Sequence, residues 1–534
     1  MCLLGAMGCL TDGVAPDTDE LASTSDPIQA GQLELGFPAI GELTIADGHF
    51  CTATLIAPSY VLSAAHCAGA GMVFNTGTSS ANFVAHAVDQ QITHPTLDLL
   101  LAHLSAPITG IAPIEFNDGA LPPIGQICTA VGFGWHDVNG TNTLGTKRSA
   151  TEQITGVNSS QIVVQMGSGI ADHGDSGGPL LCNSRITSVV HNHTDGVWPQ
   201  HVAENYTTID PVWILSHTFT DLTLQNGWTN TVFGTRNAAV AYVAGSVHFR
   251  GAIANGTTGV AFTLPAGFRP AANVYVQVDL CNATKGRLFI PPSGVVSVVA
   301  ENSEFFNAQC FTSLEGVSFA LSTTGYTPLV LQNGWTSAPF ATRNPAVTSA
   351  SGIVRFEGAI ASGTTGVAFT LPAAFRPATN VYLPVDLCFG TKGRLFIPPT
   401  GVVSIVAENG TFSNAQCFTS LDGASFALSG GFTPLALQNG WTNAPFSTSS
   451  AAIENLGGIV RFKGAIASGT TSAPFTLPAA FRPATNVLVP VDLCGAANGR
   501  LVILPSGAVT IEAEASAFAQ AQCFMSLDGV WYPL

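Results

Sequence analysis

Through the second half of the chain, short runs of β-branched and aromatic residues alternate with polar ones and stop at Pro or Gly, as in "NVYVQVDL" and "GVVSVVAE". A period of two bounded by turn residues predicts short, half-buried strands. Nearer the N-terminus, "FCTATLIAPSYVLSAAHCAG" reads as a strand, a turn and a second strand that ends at His66. No apolar run approaches the roughly 20 residues of a helical membrane span. Together with 56 Gly and 32 Pro, the pattern predicts an all-β chain.

The strand pattern repeats. "LQNGWT" starts at Leu224, Leu331 and Leu437, and each copy is followed by "GAIA", "FTLPAGFRPA" or "FTLPAAFRPA", "VDLC", "GRL" and "AQCF". A period of about 106 residues makes each unit domain-sized, so three β-sandwich or jelly-roll modules are expected. Each unit carries two cysteines 29 apart, Cys281 with Cys310, Cys388 with Cys417 and Cys494 with Cys523. A bridge closing such a loop contributes on the order of 3–4 kcal/mol. Trp228, Trp335 and Trp441 read as core anchors rather than sugar platforms. The recurrent Arg269, Arg376 and Arg482 are expected to pair with Asp279, Asp386 and Asp492 inside each unit. The combination of "LP..FRP", "G.V.V" and "SLDG.SF" resembles the β-sandwich modules at the C-termini of phage tail-fibre and baseplate proteins, which implies binding to a receptor or glycan.

Length, charge and cysteine usage refine this. The 534 residues exceed one core, and residues 1–217 hold three basic against 19 acidic residues, so this part carries the whole net charge of −16. Without a basic patch, nucleic acid is not an expected partner. The twelve cysteines fall in even numbers per segment, with no zinc spacing, which predicts disulfides and an extracytoplasmic location. The opening "MCLLGAMGCL" reads either as the end of an ordinary secretion signal or as a lipoprotein box with Cys9 acylated. The expected division is a leader and propeptide over 1–27, one domain over 28–217, and repeats over 218–323, 324–430 and 431–534.

The candidate chemistry lies in "HGDSGGPL", residues 173–180. "GDSGG" also satisfies the G-x-S-x-G elbow of esterases, but that fold needs a helix after the serine, which Gly177-Gly178-Pro179 opposes. A serine nucleophile needs a histidine base, and the base needs an orienting group. His66 stands between Cys51 and Cys67, whose bridge would close a loop of about 16 residues around its supporting strands. Asp98 heads the apolar run "LDLLLAHL", where an ionised carboxylate must find a hydrogen-bond donor.

The order His66, Asp98, Ser176, with "AAHC", "LDLLLAHL" and "GDSGGPLLC", resembles the chymotrypsin/trypsin-like serine peptidase family over about residues 28–217. "ICTAVGFGW" and "YTTIDPVWI" resemble a further strand and the C-terminal helix of that family. The resemblance implies a double β-barrel with His66, Asp98 and Ser176 as catalytic triad. It implies an oxyanion hole from the N–H groups of Gly174 and Ser176, and a Cys128–Cys182 disulfide. It also implies that a new amine at Ile28 pairs with Asp175, although Pro27 before it excludes a tryptic activation cut. Ile170 stands where tryptic members carry an Asp, and "HNH", His191 to His193, stands for the "SWG" pocket wall, so small or apolar residues are the expected substrate preference. His191 and His193 could alternatively bind metal, but no third ligand is evident. His86, His94, His103, His136, His173 and His201 read as surface or loop residues.

The chain therefore reads as a secreted serine endopeptidase with a protein or peptide substrate and no cofactor or metal, held by three modules to a glycan or cell surface. The alternative is an inactive protease-like adhesin.

Overall fold

The computed structural model describes residues 28, 31–117, 120–134, 145–193 and 203–534. The leader with Cys9 and Pro27, together with His136 and His201, lies outside the described residues, as does the side chain of His193.

After the short strand β1 (Gln32–Leu33) come β2 (Ile40–Thr44), β3 (Phe50–Ala57), β4 (Tyr60–Ser63), β5 (Val73–Thr76), β6 (Val84–Thr93) and β7 (Leu100–Leu104). They close as an antiparallel barrel in the order β2-β3-β4-β7-β6-β5. Next come β8 (Ile127–Gly132), β9 (Arg148–Val157), β10 (Gln161–Met166), β11 (Pro179–Cys182), β12 (Arg185–His193) and β13 (Ala203–Thr208). Their order β9-β10-β13-β12-β11-β8, with β8 also paired to β9, makes a second barrel. Helix α1 (Pro211–Thr218) follows, with the Asp210 carboxylate accepting the Trp213 N–H at 3.0 Å and Pro at its first turn.

Each later unit builds small antiparallel sheets from the alternating runs. In the first, Ala239–Val243, Ser246–Arg250 and Ser318–Ala320 form one sheet and Val260–Thr263, Val274–Asp279, Lys285–Ile290 and Val295–Ala300 another. Trp228, Trp335 and Trp441 are buried, and each donates its indole N–H to a carbonyl of its own unit at 2.9 Å. The structure holds five disulfides, Cys51–Cys67, Cys128–Cys182, Cys281–Cys310, Cys388–Cys417 and Cys494–Cys523.

The expected Arg–Asp pairing inside a unit is overturned. Arg269, Arg376 and Arg482 each donate from Nε to a carbonyl five residues back. The aspartates are instead claimed by the arginine of "GRL" in another unit: Arg287 meets Asp386, Arg394 meets Asp492 and Arg500 meets Asp279, each at 3.1 Å. The third pair joins the last repeat to the first, so the three units close into a ring around a pseudo-threefold axis. Other contacts obey the same rotation: Ser420 donates to the Tyr275 carbonyl, Ser526 to that of Tyr382 and Ser313 to that of Leu488. Where the axis passes, Lys285 lies among Glu301, Glu408 and Glu514, and Lys392 donates to Asp492 at 2.9 Å.

The first barrel sits against this ring. Ile56, Tyr60 and Leu101 share an apolar core with Val240, Val247 and Phe249 of the first repeat, and the second barrel also reaches the ring, where Arg185 of β12 donates to Ser351 of the second repeat. Asp492 neutralises both Lys392 and Arg394 in full burial, so Asp492→Ala is expected to lower stability by about 3–5 kcal/mol. Arg482→Ala, which removes a hydrogen bond to one carbonyl, should cost about 1 kcal/mol. Thermal unfolding of the two variants checks this, and an equal or larger loss at Arg482 would contradict the ring contact.

Candidate active site

The β3–β4 hairpin ends in a single 3-10 turn, Ala65–Cys67, that the Cys51–Cys67 disulfide fixes to β3. This turn carries His66. Asp98 arrives from the segment between β6 and β7 and uses both carboxylate oxygens. Oδ1 accepts the His66 backbone N–H at 2.9 Å, and Oδ2 lies 2.7 Å from His66 Nδ1. With its Nδ1–H donated to the carboxylate, the neutral imidazole keeps its lone pair on Nε2.

A second imidazole reaches the same oxygen. His191, on β12 of the other barrel, places Nδ1 2.5 Å from Asp98 Oδ2. His191, which the sequence places in the pocket wall, thus also contacts Asp98. Burial alone would raise the Asp98 pKa, but hydrogen bonds from His66 and His191 outweigh it and bring it down to about 2. His66, Asp98 and His191 offer ligand atoms within 4.8 Å of one another, and these atoms are the ones engaged in the two imidazole–carboxylate hydrogen bonds. Cys51 and Cys67 also lie near His66, but their sulfurs are spent on the disulfide.

Ser176 sits on a tight turn strapped to the first barrel. Thr52 donates its backbone N–H to the Ser176 carbonyl at 2.9 Å and its hydroxyl to the Gly174 carbonyl at 3.1 Å. Cys67 Sγ lies 3.8 Å from the same Ser176 carbonyl, so the serine's backbone rests against the turn that bears His66. Among the described residues, no hydrogen bond joins Ser176 Oγ to His66, and the N–H groups of Gly174 and Ser176 have no acceptor. Gly174 has φ +93°, and a Cβ there would come within 2.9 Å of Gly134 Cα and 3.0 Å of the Phe50 ring. Only glycine fits that backbone without displacing its neighbours.

Behind the turn, Asp175 is fully buried and accepts backbone N–H groups from Gly134 at 2.8 Å and Asp172 at 3.0 Å. Ile28 is also fully buried, in the core of the second barrel with Ile154, Ile162 and Ile170. Ile170 is therefore a core residue. Next to it the Ala171 N–H donates to Glu152 Oε1 at 2.9 Å, and the Tyr206 hydroxyl donates to Glu152 Oε2 at 2.7 Å. Burial pushes the Glu152 pKa up to about 8. The sequence reading missed Glu152; its one signal was a carboxylate inside the strand pattern "ATEQITGV". Of the remaining histidines, His86 meets Thr76, His94 meets Asp210 and His103 meets Asp89.

A protein-family model described as Trypsin matches residues 29–210. The chain is 30% identical over 183 residues to the chymase of Rattus norvegicus, covering 28% of this chain and 74% of that one. It is 31% identical over 174 residues to the chymase of Mus musculus, covering 27% and 70%. The snake venom serine protease Haly-2 of Gloydius brevicauda is 26% identical over 189 residues, covering 30% and 71%.

Burial raises the Asp175 pKa from 3.8 to about 8, so folding favours its protonated form. The stability this group contributes is full below about pH 4 and is lost as pH rises through about 8. In unprocessed protein carrying Ser176→Ala, the thermal midpoint is expected to fall between pH 5 and pH 9, and adding Asp175→Asn should flatten that fall. Equal slopes with and without Asp175→Asn would contradict the assignment.

Proposed function

The chain belongs to the trypsin family of serine peptidases, and from that premise we propose that residues 28–217 form an endopeptidase domain in which His66, Asp98 and Ser176 act as the catalytic triad. The observation that carries the reading is the Asp98 carboxylate: it holds His66 by both backbone and ring, on a turn against which the Ser176 backbone is strapped. His66 Nε2 takes the proton of Ser176 Oγ as that oxygen bonds to the scissile carbonyl carbon. The tetrahedral oxyanion is received by the N–H groups of Gly174 and Ser176. Collapse breaks the C–N bond, His66 returns the proton to the leaving amine, and water repeats the sequence to release the acyl group. Asp98 stays ionised throughout, because its two imidazole contacts hold its pKa near the bottom of the carboxylate range.

The finer readings follow from the same residues. Position 170, an apolar core residue, offers no carboxylate to meet a Lys or Arg side chain, so small or apolar side chains are the substrate preference. Cleavage after Pro27 by a separate peptidase frees the Ile28 amine, which replaces the backbone partners of Asp175 and removes the penalty of its buried charge. The five disulfides fit an extracytoplasmic location, with secretion directed by the leader and Cys9 as the residue for any lipid anchor.

For the repeats we retain attachment to a glycan or cell surface. In support, Phe233, Phe340 and Phe446 stand at equivalent places in the three units with 62%, 58% and 59% of their surface exposed. Each stacks edge-on against an inner Phe, and its carbonyl accepts from an Asn of another repeat at 2.9 Å. Three equivalent apolar rings around one axis suit multivalent contact.

A fluorophosphonate probe is expected to label the processed protein and to leave Ser176→Ala unlabelled. Asp98→Asn should lower peptide-hydrolysis kcat by about 10⁴-fold while leaving the thermal midpoint far less affected. Absence of labelling in protein whose N-terminus is Ile28 would overturn the endopeptidase reading.

A further inference from the structure

The ring brings together three side chains that no catalytic argument uses. His248, Arg355 and Arg461 occupy the same position in the three repeats, the middle of "VHF", "VRF" and "VRF". They lie on strands Ser246–Arg250, Ile353–Glu357 and Ile459–Lys463, and the ring turns all three onto one cavity at the end of the axis nearest the first barrel. Their residues are only 2%, 8% and 6% exposed. Ser318, Ser425 and Trp531, their cross-strand neighbours, line the same cavity.

The electrostatics there are unlike those of the other buried arginines. Arg287, Arg394 and Arg500 each meet an aspartate, whereas Arg355 and Arg461 form no ion pair among the described residues. Arg355 Nη1, Arg461 Nε and both ring nitrogens of His248 are buried with no protein hydrogen-bond partner. Burial and the neighbouring Arg355 lower the Arg461 pKa to about 9, the mark of two guanidiniums that repel each other in a poorly hydrated place. The surrounding carboxylates do not cancel this charge. Glu454 faces Arg461 across the strand ladder, and Glu115, from the first domain, is engaged by Arg185 at 2.9 Å. Two cations and a neutral imidazole thus face one carboxylate.

A buried positive surplus with unfilled N–H groups calls for an anion. The enclosed part of the cavity is small, with room for about one water-sized body, which favours a compact monatomic anion over a larger one. We propose that this cavity binds one chloride ion, held by Arg355 and Arg461 with an N–H of His248 on the third side. Arg355 and Arg461 also line the neighbouring cavity with Ile56, Glu115 and Arg185 of the first domain, so the ion secures the end of the ring on which that domain rests.

Crystals of the full chain soaked in sodium bromide test the site. One anomalous bromide peak between the two guanidiniums is expected; a water there, or no density, overturns the proposal. In solution, the thermal midpoint in sodium chloride is expected to exceed that in sodium gluconate of equal ionic strength by at least about 2 °C. That difference should vanish in Arg461→Gln. Equal midpoints in the two salts for the unaltered protein also overturn it, and the bromide experiment decides the matter if Arg461→Gln fails to fold.

Discussion

Asp98 belongs to the first barrel by chain position, yet its carboxylate receives hydrogen bonds from an imidazole of each barrel. A buried charge of this kind persists only where donors surround it, and here the donors are His66 on the disulfide-fixed turn and His191 on β12. The arrangement fixes three things together: the orientation and tautomer of His66, the ionised state of Asp98, and the approach of the second barrel, which brings the Ser176 turn. Removing the His191 contact would leave an oxygen of a largely buried carboxylate short of one donor, so the second imidazole acts as a positioning group for the first.

Linking the repeats in one chain has a physical consequence that three separate subunits could not share. Identical subunits would place three identical charges around the axis. Here the equivalent positions differ: Lys285 and Lys392 are matched by Asn498, and Arg355 and Arg461 by His248. Each substitution removes one of three like charges from a crowded, poorly hydrated place, where the third would be the most costly. Covalent linkage also makes closure intramolecular, so the Arg500–Asp279 contact forms without any dependence on protein concentration.

Much of the first domain was legible because its chemistry needs particular residues at particular places. Gly174 is demanded by a backbone angle and a close approach, Cys51 and Cys67 by the turn they staple, and the order of His66, Asp98 and Ser176 distinguishes this fold from an esterase. The role of His191 was not legible, since a histidine 93 residues from Asp98 carries no mark of its partner. Similarly, the three units were plain from their period, but the period itself hid the partner of each aspartate. Every arginine in the motif recurs at the same spacing, so a pair within one unit and a pair between units leave the same trace in the sequence. The exposed phenylalanines were not legible for a related reason: in "TVFG", "APFA" and "APFS" the local pattern of Phe233, Phe340 and Phe446 is the same whether the ring packs inward or stands in solvent.

Asp98 accepts two imidazole protons at once, and proton NMR of the unaltered protein at neutral pH reads this directly. Two strongly downfield, exchange-protected imidazole N–H resonances are predicted, both assigned to Nδ1 and belonging to His66 and His191. A single such resonance, or one that moves to Nε2 of either ring, would contradict the central claim.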